Sequence, residues 1–476
     1  MAATTLLIED QPGETRVARL DGGRLVDLLL IHDGERSLVG NVYLGRVRTV
    51  DRGLEAAFVD LGPDGTGFLG LADARPPGRT GGRITDFAAE GDALVVQVTA
   101  DPVDGKGPKL TARVTLQGRL LVLLPGQDEV RVSGRLDDVA ERDRLAALAA
   151  SLAGSGDGFI VRTAARGAGA EALAAEARRL AAAWRGLDGG AAAPACLHRE
   201  PEAALRLLRD LDVPGARIVV DGAAMLGRVR DFCAGSAPDL TDISAHRGRD
   251  PLFEAEGVEE QAEAALSPRV ALPGGGALTV QETAAVTAID VDSGAASGQG
   301  GRAAQALATN LEAVAEAARQ MRLRGLAGLV VIDPLRLKSA DGRRRVLAAL
   351  RAAVAADPDR VEVAGYTRLG LIELTRRRAA RSLARGISVA CPACAGQGRV
   401  RAPLAAAFAA LRRLRREAAS RPGRGLVLAA PTPVVVALEG TGAAALDATR
   451  ARLGAALTLR VDDTLAPDAH RIDFED

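Results

Sequence analysis

Apolar and polar residues follow a strand–helix–strand pattern between Val286 and Leu337. Two short apolar runs, VTAID and LAGLVVID, are typical of buried strands, and they end at Asp290 and Asp333. Between them, apolar residues step by four, three, four and three positions over 307–321, which predicts one buried face of an amphipathic helix. A crossover of this kind makes the two strands parallel. A second helix is predicted over 341–355.

Both strand-end aspartates are expected on one edge of the predicted sheet. Parallel strands carry their C-terminal ends on the same edge, where open α/β sheets hold ligands. Neighbouring strands lie about 4.8 Å apart, so Asp290 and Asp333 can share a hard cation such as Mg²⁺, which prefers carboxylates, waters and phosphate oxygens. A second interpretation stays open at this point, because strand-end aspartates also serve as helix N-caps and turn formers.

The sequence AIDVDSG, followed by TNLEAVAEAARQMRLRGLAGLVVID, resembles the catalytic segment of the ribonuclease E/G family. The resemblance implies an endoribonuclease whose catalytic Mg²⁺ is held by Asp290, Asp292 and Asp333. Two features depart from the family. Asp292 stands where its best-known members have asparagine, and Pro334-Leu335-Arg336 stand where an aromatic residue and another acid are common. The added charge of Asp292 should tighten metal binding.

Short strands and regular turn signals predict a small β-barrel over residues 36–118. Three of the 11 aromatic residues of the chain fall within 26 residues of this segment, interleaved with Arg46 and Arg48: Tyr43, Phe58 and Phe68. Such a face suits the stacking of single-stranded bases, although the same aromatic residues can equally build a barrel core. The segment is similar to the S1 RNA-binding domain of the family, which implies that Phe58 and Phe68 contact RNA. Further candidates for phosphate contacts are Lys106, Lys109 and Arg113.

A predicted strand ends in VRTAARGAG, around Arg162, Thr163 and Arg166. An arginine fork, a hydroxyl group and turn amides suit one terminal phosphate, whereas a solvated turn at a strand end is the alternative. VRTA matches the 5′-sensor of the family, which favours RNA carrying a 5′-monophosphate. The resemblance therefore implies that Arg162 and Thr163 bind this phosphate, with Val130–Ser133 as the opposite wall.

After the central unit, the sequence predicts a strand, a tight loop and a strongly basic helix. The densest basic stretch of the chain comprises Arg368, Arg376, Arg377, Arg378, Arg381 and Arg385. A charge run usually marks a solvated face. GLIELTRRR nevertheless matches a family signature near the active site, which implies that Arg368 contacts the scissile phosphate.

CPACAGQGRV contains a Cys-x₂-Cys knuckle, formed by Cys391 and Cys394. One such pair is half of a tetrahedral Cys₄ zinc site, and the single cysteines Cys196 and Cys233 are poor candidates for the other half. The resemblance implies that two protomers each contribute two thiolates to one Zn²⁺. We therefore expect a homodimer, and the sequence leaves open whether dimers pair into tetramers.

Composition describes a globular protein, with 47% hydrophobic and 26% charged residues. The 61 basic and 61 acidic side chains balance, so nucleic-acid binding depends on local patches. Four cysteines without a regular framework suit a reducing compartment. The sequence shows no signal segment and no apolar run long enough to span a membrane, so we expect a cytoplasmic protein.

The resemblance covers nearly the whole chain and implies a multidomain α/β fold. Because no long scaffold tail follows, the layout is similar to the short, ribonuclease G type of the family. The expected parts are a ribonuclease H-like subdomain (1–35 and 215–278) with an inserted S1/OB barrel (36–118), a 5′-sensor subdomain (119–214), a DNase I-like catalytic subdomain (279–390), a zinc link (391–400) and a small C-terminal α/β domain (401–476). In the last of these, LVLAA and VVVAL are predicted strands.

The expected activity is Mg²⁺-dependent cleavage of single-stranded RNA in ribosomal RNA processing or messenger RNA decay. Two alternatives remain. Asp292 and Pro334 leave room for an RNA-binding protein of the same family without cleavage activity. A DNA nuclease would use the same metal chemistry, but the S1-like segment disfavours it.

Overall fold

The computed structural model describes residues 3–32, 34, 37–102, 106–136, 138–153, 156–187, 190–213, 215–294, 301–377, 382–394 and 396–474. The chain forms two compact units, Met1–Gly386 and Ile387–Asp476. Helices and strands alternate through both, so the predicted multidomain α/β fold is confirmed. Within the described residues, no helix is long and apolar enough to cross a membrane.

Three antiparallel strands begin the first unit: β1 (Thr4–Gln11), β2 (Glu14–Asp21) and β3 (Arg24–His32). The turns fall at Pro12-Gly13 and Gly22-Gly23. Gly13, with a φ of 95°, adopts a backbone conformation that residues with a Cβ rarely reach, so the tight first turn requires glycine.

A small β-barrel follows, built from β4 (Val42–Asp51), β5 (Ala56–Asp60), β6 (Thr66–Gly70), α1 (Leu71–Ala74), β7 (Ala93–Ala100) and β8 (Lys109–Thr111). The strand order is β4-β5-β6-β8-β7, and β7 pairs back onto β4 to close the barrel. Tyr43 and Leu69 are fully buried inside it. The predicted barrel is therefore present.

A mixed α/β layer comes next, made of β9 (Leu116–Gln117), β10 (Leu121–Pro125), β11 (Val130–Val132), α2 (Val139–Leu152), β12 (Asp157–Val161) and α3 (Ala170–Gly186). The sheet has the order β11-β12-β10-β9. Leu145 of α2 and Leu173 of α3 pack with Leu123 and Phe159 of the sheet. The carboxylate of Asp138 caps α2 by accepting the amides of Ala140 and Glu141.

The chain then returns to the first sheet through β13 (Ala195–His198), α4 (Ala203–Asp210), β14 (Arg217–Asp221), α5 (Ala223–Ser236), β15 (Ile243–Ala245), α6 (Leu252–Ala255) and α7 (Glu259–Ala264). β13 adds to the barrel edge beside β4, whereas β14 pairs in parallel with β1. The resulting order is β15-β14-β1-β2-β3. Residues on both sides of the barrel in the sequence thus build one sheet.

The central sheet of the first unit contains β16 (Arg269–Ala271), β17 (Ala277–Glu282), β18 (Val286–Asp292), α8 (Gly301–Leu323), β19 (Gly328–Asp333), α9 (Ala340–Val354), β20 (Val361–Tyr366), β21 (Ile372–Arg376) and, after it, α10 (Leu383–Ile387). Its order is β16-β17-β18-β19-β21-β20, and β18 and β19 are parallel neighbours, as predicted. Val314 of α8 and Val346 of α9 pack on the same face of this sheet. β16 and β17 belong here, although the sequence placed residues up to 278 in the preceding subdomain.

Two predicted elements differ from the structure. IELTR, expected to begin a basic helix, is strand β21, because Ile372 and Leu374 alternate with exposed residues and pack into the core of the central sheet. VVVAL, expected as a strand, lies in a helix, Thr432–Glu439. Its buried residues Val434, Val435 and Leu438 are spaced for one helix face, and a short apolar run does not distinguish helix from strand.

The second unit is a three-stranded sheet with three helices: α11 (Pro403–Ser420), β22 (Leu426–Ala430), α12 (Thr432–Glu439), α13 (Ala443–Leu453), β23 (Leu457–Val461) and β24 (Arg471–Phe474). β22 lies in the middle, parallel to β23 and antiparallel to β24. Leu411, Leu428 and Leu438 are in its core. This is the small α/β domain that the sequence predicts.

Candidate active site

The two strand-end aspartates lie side by side in the central sheet. Asp290 of β18 is in direct register with Asp333 of β19. The preceding residues, Ile289 and Ile332, are buried against the helices, so both aspartates belong to the opposite face, where they are exposed. We call this the open face: the side of the central sheet that α8 and α9 do not cover. The pair thus lies on one edge of the sheet, as the sequence predicts, and the structure adds that the two strands are direct neighbours.

Asp292 has other partners. One oxygen of its carboxylate, Oδ1, accepts the amide of Gly294 at 3.0 Å, and the other, Oδ2, lies 3.7 Å from Nη2 of Arg269. In the part of the chain that is described, no three acidic, histidine or cysteine side chains converge as metal ligands. Two carboxylates still suit Mg²⁺, which commonly takes one or two from the protein and completes its shell with water and phosphate oxygens. Asp290 and Asp333 therefore fit a Mg²⁺ site, with Asp292 at its margin.

Arg269 is a residue that sequence reasoning missed. It pairs with Thr279, Thr279 pairs with Asp290, and Asp290 pairs with Asp333, so a lateral row crosses four strands. Its side chain is 63% exposed on the open face. The only available signal was the Pro-Gly-Gly-Gly turn of VALPGGGAL, which forms the hairpin that folds β16 back beside β17.

Asn310 fixes the segment that follows Asp333. This fully buried residue of α8 donates through Nδ2 to the carbonyl of Leu335 at 2.7 Å and accepts the Leu335 amide through Oδ1 at 2.8 Å. The amide side chain satisfies both backbone groups of one residue and ties the end of β19 to the helix. The sequence did contain a signal for this role, namely a polar asparagine within an amphipathic helix whose apolar side is largely buried.

Arg368 lies on the same edge of the sheet as Asp333. β21 runs antiparallel to β19 with Ile372 opposite Ile332, so the turn before β21 is at the C-terminal end of β19. Within this turn the hydroxyl of Thr367 accepts the amides of Leu369 and Leu371, at 3.2 Å each, and Arg368 is exposed. The role of Arg368 in binding phosphate stays a prediction.

The basic stretch is smaller than the sequence suggests. Arg376 is buried and makes a two-bond ion pair with Asp357, at 2.9 and 3.0 Å, so it is part of the core. Arg377 is exposed. Arg378 and Arg381 lie outside the described residues, as does the side chain of Arg385.

The barrel separates its aromatic residues. Tyr43 is core, and its hydroxyl donates to Asp64 at 2.9 Å. Phe58 and Phe68 are half-buried neighbours on β5 and β6, with ring centroids 5.9 Å apart and planes at 73°.

The cations near this aromatic pair differ in whether they already have partners within the protein. Lys109 of β8 is exposed and stands opposite Phe68 in the pairing of β6 with β8. Lys106, three residues earlier in the sequence, is also exposed. Arg48 is held by Asp60 at 2.9 Å, and this contact is the main reason that the pKa of Asp60 is lowered. Arg46 and Arg113 donate to backbone carbonyls of the barrel region. Among the described residues, Phe58, Phe68, Lys106 and Lys109 therefore form the part of the predicted RNA face that is not engaged by ion pairs.

The predicted phosphate cradle is assembled only in part. The hydroxyl groups of Thr163 and Ser133 are 3.0 Å apart, so the expected wall at Val130–Ser133 does stand beside Thr163. Arg162 instead donates to the carbonyl of Gly118 at 2.6 Å and pairs with Asp210 at 2.7 Å.

The cysteine knuckle in the second unit has the form of half a metal site. The amide of Gly398 donates to Sγ of Cys394 at 3.3 Å, and this hydrogen bond is the main reason that the pKa of the thiol is lowered. Metal ions bind the thiolate form of cysteine. An amide that donates a hydrogen bond to the sulfur stabilises this form and so favours metal binding. Cys233 is instead buried in an apolar core that raises its pKa to about 11, and burial also raises the pKa of Cys196. Two thiolates fit zinc only if other ligands complete the site.

Comparisons with known proteins match most of the chain. The model described as Ribonuclease E/G family matches residues 115–379, and the one described as RNase E/G, Thioredoxin-like domain matches residues 390–475. Ribonuclease G of Escherichia coli (strain K12) is 36% identical over 451 residues, covering 91% of this chain and 92% of that protein. Ribonuclease G of Haemophilus influenzae is 35% identical over 416 residues, covering 84% and 85%.

Ribonuclease E of Escherichia coli (strain K12) is 34% identical over 463 residues, covering 94% of this chain and 43% of that longer protein. The matched region of the first family model contains the aspartate pair, Asn310 and Arg368, and the likeness to ribonuclease G runs through nearly the full length of both chains. With its paired strand-end aspartates and its Cys-x₂-Cys knuckle, the chain belongs to the ribonuclease E/G family.

Proposed function

We propose that this protein cleaves single-stranded RNA internally by Mg²⁺-assisted hydrolysis, as an enzyme of RNA processing and decay. Endoribonuclease activity rests on its membership of the ribonuclease E/G family. The observation that carries the chemistry is the registered pair of Asp290 and Asp333 on the open face. When bound there, Mg²⁺ supplies a water of lowered pKa and stabilises negative charge on the phosphate.

The residues of the chain have distinct roles in this proposal. Asp290 and Asp333 hold the ion, and Asn310 keeps the end of β19 in place. Arg368 binds an oxygen of the scissile phosphate by a charge-assisted hydrogen bond. Cleavage of the bond between phosphorus and the 3′-oxygen leaves a 5′-phosphate on the downstream product.

The barrel supplies the grip on single-stranded RNA. Phe58 and Phe68 offer ring surface for stacking, and Lys109 and Lys106 offer charge for the backbone. We assign the barrel as an S1 domain inserted in a ribonuclease H-like subdomain, because β1 and β14 on its two sides in the sequence share one sheet. The layer containing β12 is the 5′-sensor, and the central sheet is the DNase I-like catalytic subdomain.

Three further proposals concern substrate and assembly. The sensor favours RNA with a 5′-monophosphate through Arg162 and Thr163. Cys391 and Cys394 share one Zn²⁺ with the same pair of a second protomer. The protein acts in the cytoplasm on ribosomal RNA precursors or messenger RNA.

Asp333→Asn tests the activity. We expect cleavage of a 5′-monophosphorylated single-stranded RNA to require Mg²⁺, to stop in EDTA and to fall by orders of magnitude in this variant. RNA affinity should stay within a few-fold, because Asp333 holds the ion rather than the RNA chain. The control is Asp341→Asn, which removes an exposed carboxylate at the start of α9.

The outcomes separate the candidate functions. Wild-type cleavage by Asp333→Asn would show that the metal site is misplaced. If the wild-type protein binds RNA tightly but does not cleave it, the protein is an RNA-binding protein without nuclease activity. If it cleaves single-stranded DNA as well as it cleaves RNA, it is a general nuclease.

A further inference from the structure

Arg162, the predicted phosphate ligand of the 5′-sensor, is already engaged inside the protein. Its Nη1 donates to the carbonyl of Gly118 at 2.6 Å, and its Nη2 lies 2.7 Å from Oδ1 of Asp210. The side chain is 22% exposed. A planar guanidinium that is bound at both terminal nitrogens is fixed in orientation.

The two predicted phosphate ligands therefore have partners on opposite sides of strand β12. The sheet order is β11-β12-β10-β9. Thr163 meets Ser133, which follows β11, whereas Arg162 meets Gly118, which lies between β9 and β10. A phosphate bound beside the two hydroxyl groups would have to draw Arg162 away from its present partners.

Asp210 is held firmly where it meets Arg162. It ends α4, and the buried Arg119 donates to the carbonyls of Leu208 and Leu211, at 3.2 and 2.6 Å, around that helix end. Asp210 also lies 3.2 Å from Nε of Arg209, whose own Nη1 pairs with Glu200 at 2.6 Å. Its carboxylate is 39% exposed, so a ligand that binds beside Arg162 can approach it.

We propose that Asp210 is a specificity-determining residue that competes with the 5′-terminal phosphate for Arg162. The inference rests on the proposed 5′-sensor. A carboxylate beside the guanidinium offsets its charge and repels a phosphate dianion, so it weakens the discrimination between 5′-monophosphate and 5′-hydroxyl ends. The strength of the 5′-end preference is thus set by an acid outside the VRTA motif.

The test is Asp210→Asn, which keeps the shape and a hydrogen-bond acceptor but removes the charge. The readout is the ratio of affinities for a fluorescent single-stranded RNA with a 5′-monophosphate and for the same RNA with a 5′-hydroxyl. Binding is measured in EDTA, with a gel to confirm that the RNA stays intact. We expect the ratio to rise by about tenfold, the effect of one charge-assisted contact.

The matched control is Asp212→Asn. Asp212 is two residues away and similarly exposed, at 34%, but it faces Arg19 at 3.6 Å. Its ratio should equal that of the wild type. Thermal unfolding of both variants shows whether either has lost its fold.

Arg162→Ala distinguishes failure of this inference from failure of the sensor itself. A ratio near one in Arg162→Ala, with an unchanged or lowered ratio in Asp210→Asn, would overturn the competition and make Asp210 an orienting residue. An unchanged ratio in Arg162→Ala would instead remove the sensor, and the competition with it.

Discussion

At the scale of single residues, the charge around the aspartate pair is compensated locally. Asp292 adds a carboxylate next to Asp290 and Asp333, where the best-known members of the family have asparagine. Arg269 stands in the lateral row of Asp290 and Asp333, and its Nη2 lies 3.7 Å from the Asp292 carboxylate. An opposite charge at this distance offsets much of the added field, although the contact itself is exposed and contributes little stability. We therefore expect Arg269 to offset part of the charge that Asp292 adds to the open face.

Arg269→Ala should tighten divalent metal binding. With the guanidinium gone, Asp292 is uncompensated beside the site, and attraction for the cation rises by about two- to fivefold at low salt. Binding of Mn²⁺, followed by electron paramagnetic resonance on the RNA-free protein, measures this directly. In Arg269→Ala/Asp292→Asn the gain should vanish.

Arg344→Ala is the matched control for that experiment, since it removes an exposed arginine of α9 that pairs with Asp341. Equal Mn²⁺ affinity in wild type and Arg269→Ala would show that Arg269 does not act on the metal site.

At the scale of elements, helix α8 positions the catalytic edge as well as filling the core. Its apolar face packs under β18 and β19. Asn310 reaches across to Leu335 with two hydrogen bonds, two residues after Asp333. The helix that connects the two parallel strands thus also fixes the segment in which the second aspartate stands.

Asn310→Ala should therefore lower both stability and metal affinity. It leaves the amide and carbonyl of Leu335 without their side-chain partner, which costs about 1–3 kcal/mol of unfolding free energy. Urea denaturation gives the stability, and Mn²⁺ titration gives the affinity.

Gln320→Ala separates the two effects. Gln320 is a buried amide of the same helix that bonds Glu316 and Arg324 instead. We expect a similar loss of stability with unchanged Mn²⁺ affinity. If Asn310→Ala behaves in the same way, the role of Asn310 is structural alone.

For the whole molecule, the proposed zinc site at the cysteine knuckle would couple folding to assembly. A tetrahedral structural zinc takes four ligands, and the knuckle provides two thiolates. In the described residues, no third metal-ligating side chain joins them. In the dimer that we propose, a second protomer related by a two-fold axis supplies the same pair and completes the site.

Replacing both Cys391 and Cys394 by serine should remove the zinc and shift the protein towards monomer. Metal binding and dimerisation share one free energy, so losing the ligands weakens the dimer. Analytical ultracentrifugation reports the mass, and metal analysis should find half a zinc per wild-type chain. Cys196→Ser is the control, because this thiol donates to the carbonyl of His198 within the first unit. One zinc on a stable wild-type monomer would contradict the shared site.

Features of the fold that depend on local periodicity and on motifs could be predicted from the amino-acid sequence. The βαβ unit over 286–333 and helix α9 at Ala340–Val354 were predictable because apolar spacing specifies a buried face. The parallel crossover also predicted the shared edge of Asp290 and Asp333.

The tertiary structure decided which charges meet. Arg162 meets Asp210 at the end of helix α4, a segment distant in sequence. Asp292 meets Arg269 through the register of β16, β17 and β18, across a hairpin. Arg376 is a further example. The basic stretch suggests a surface cation at this position, but in the folded chain Arg376 is buried and forms an ion pair with Asp357. The type of each side chain is known from the sequence. Its partner depends on which elements become neighbours, and this is fixed only when the chain folds.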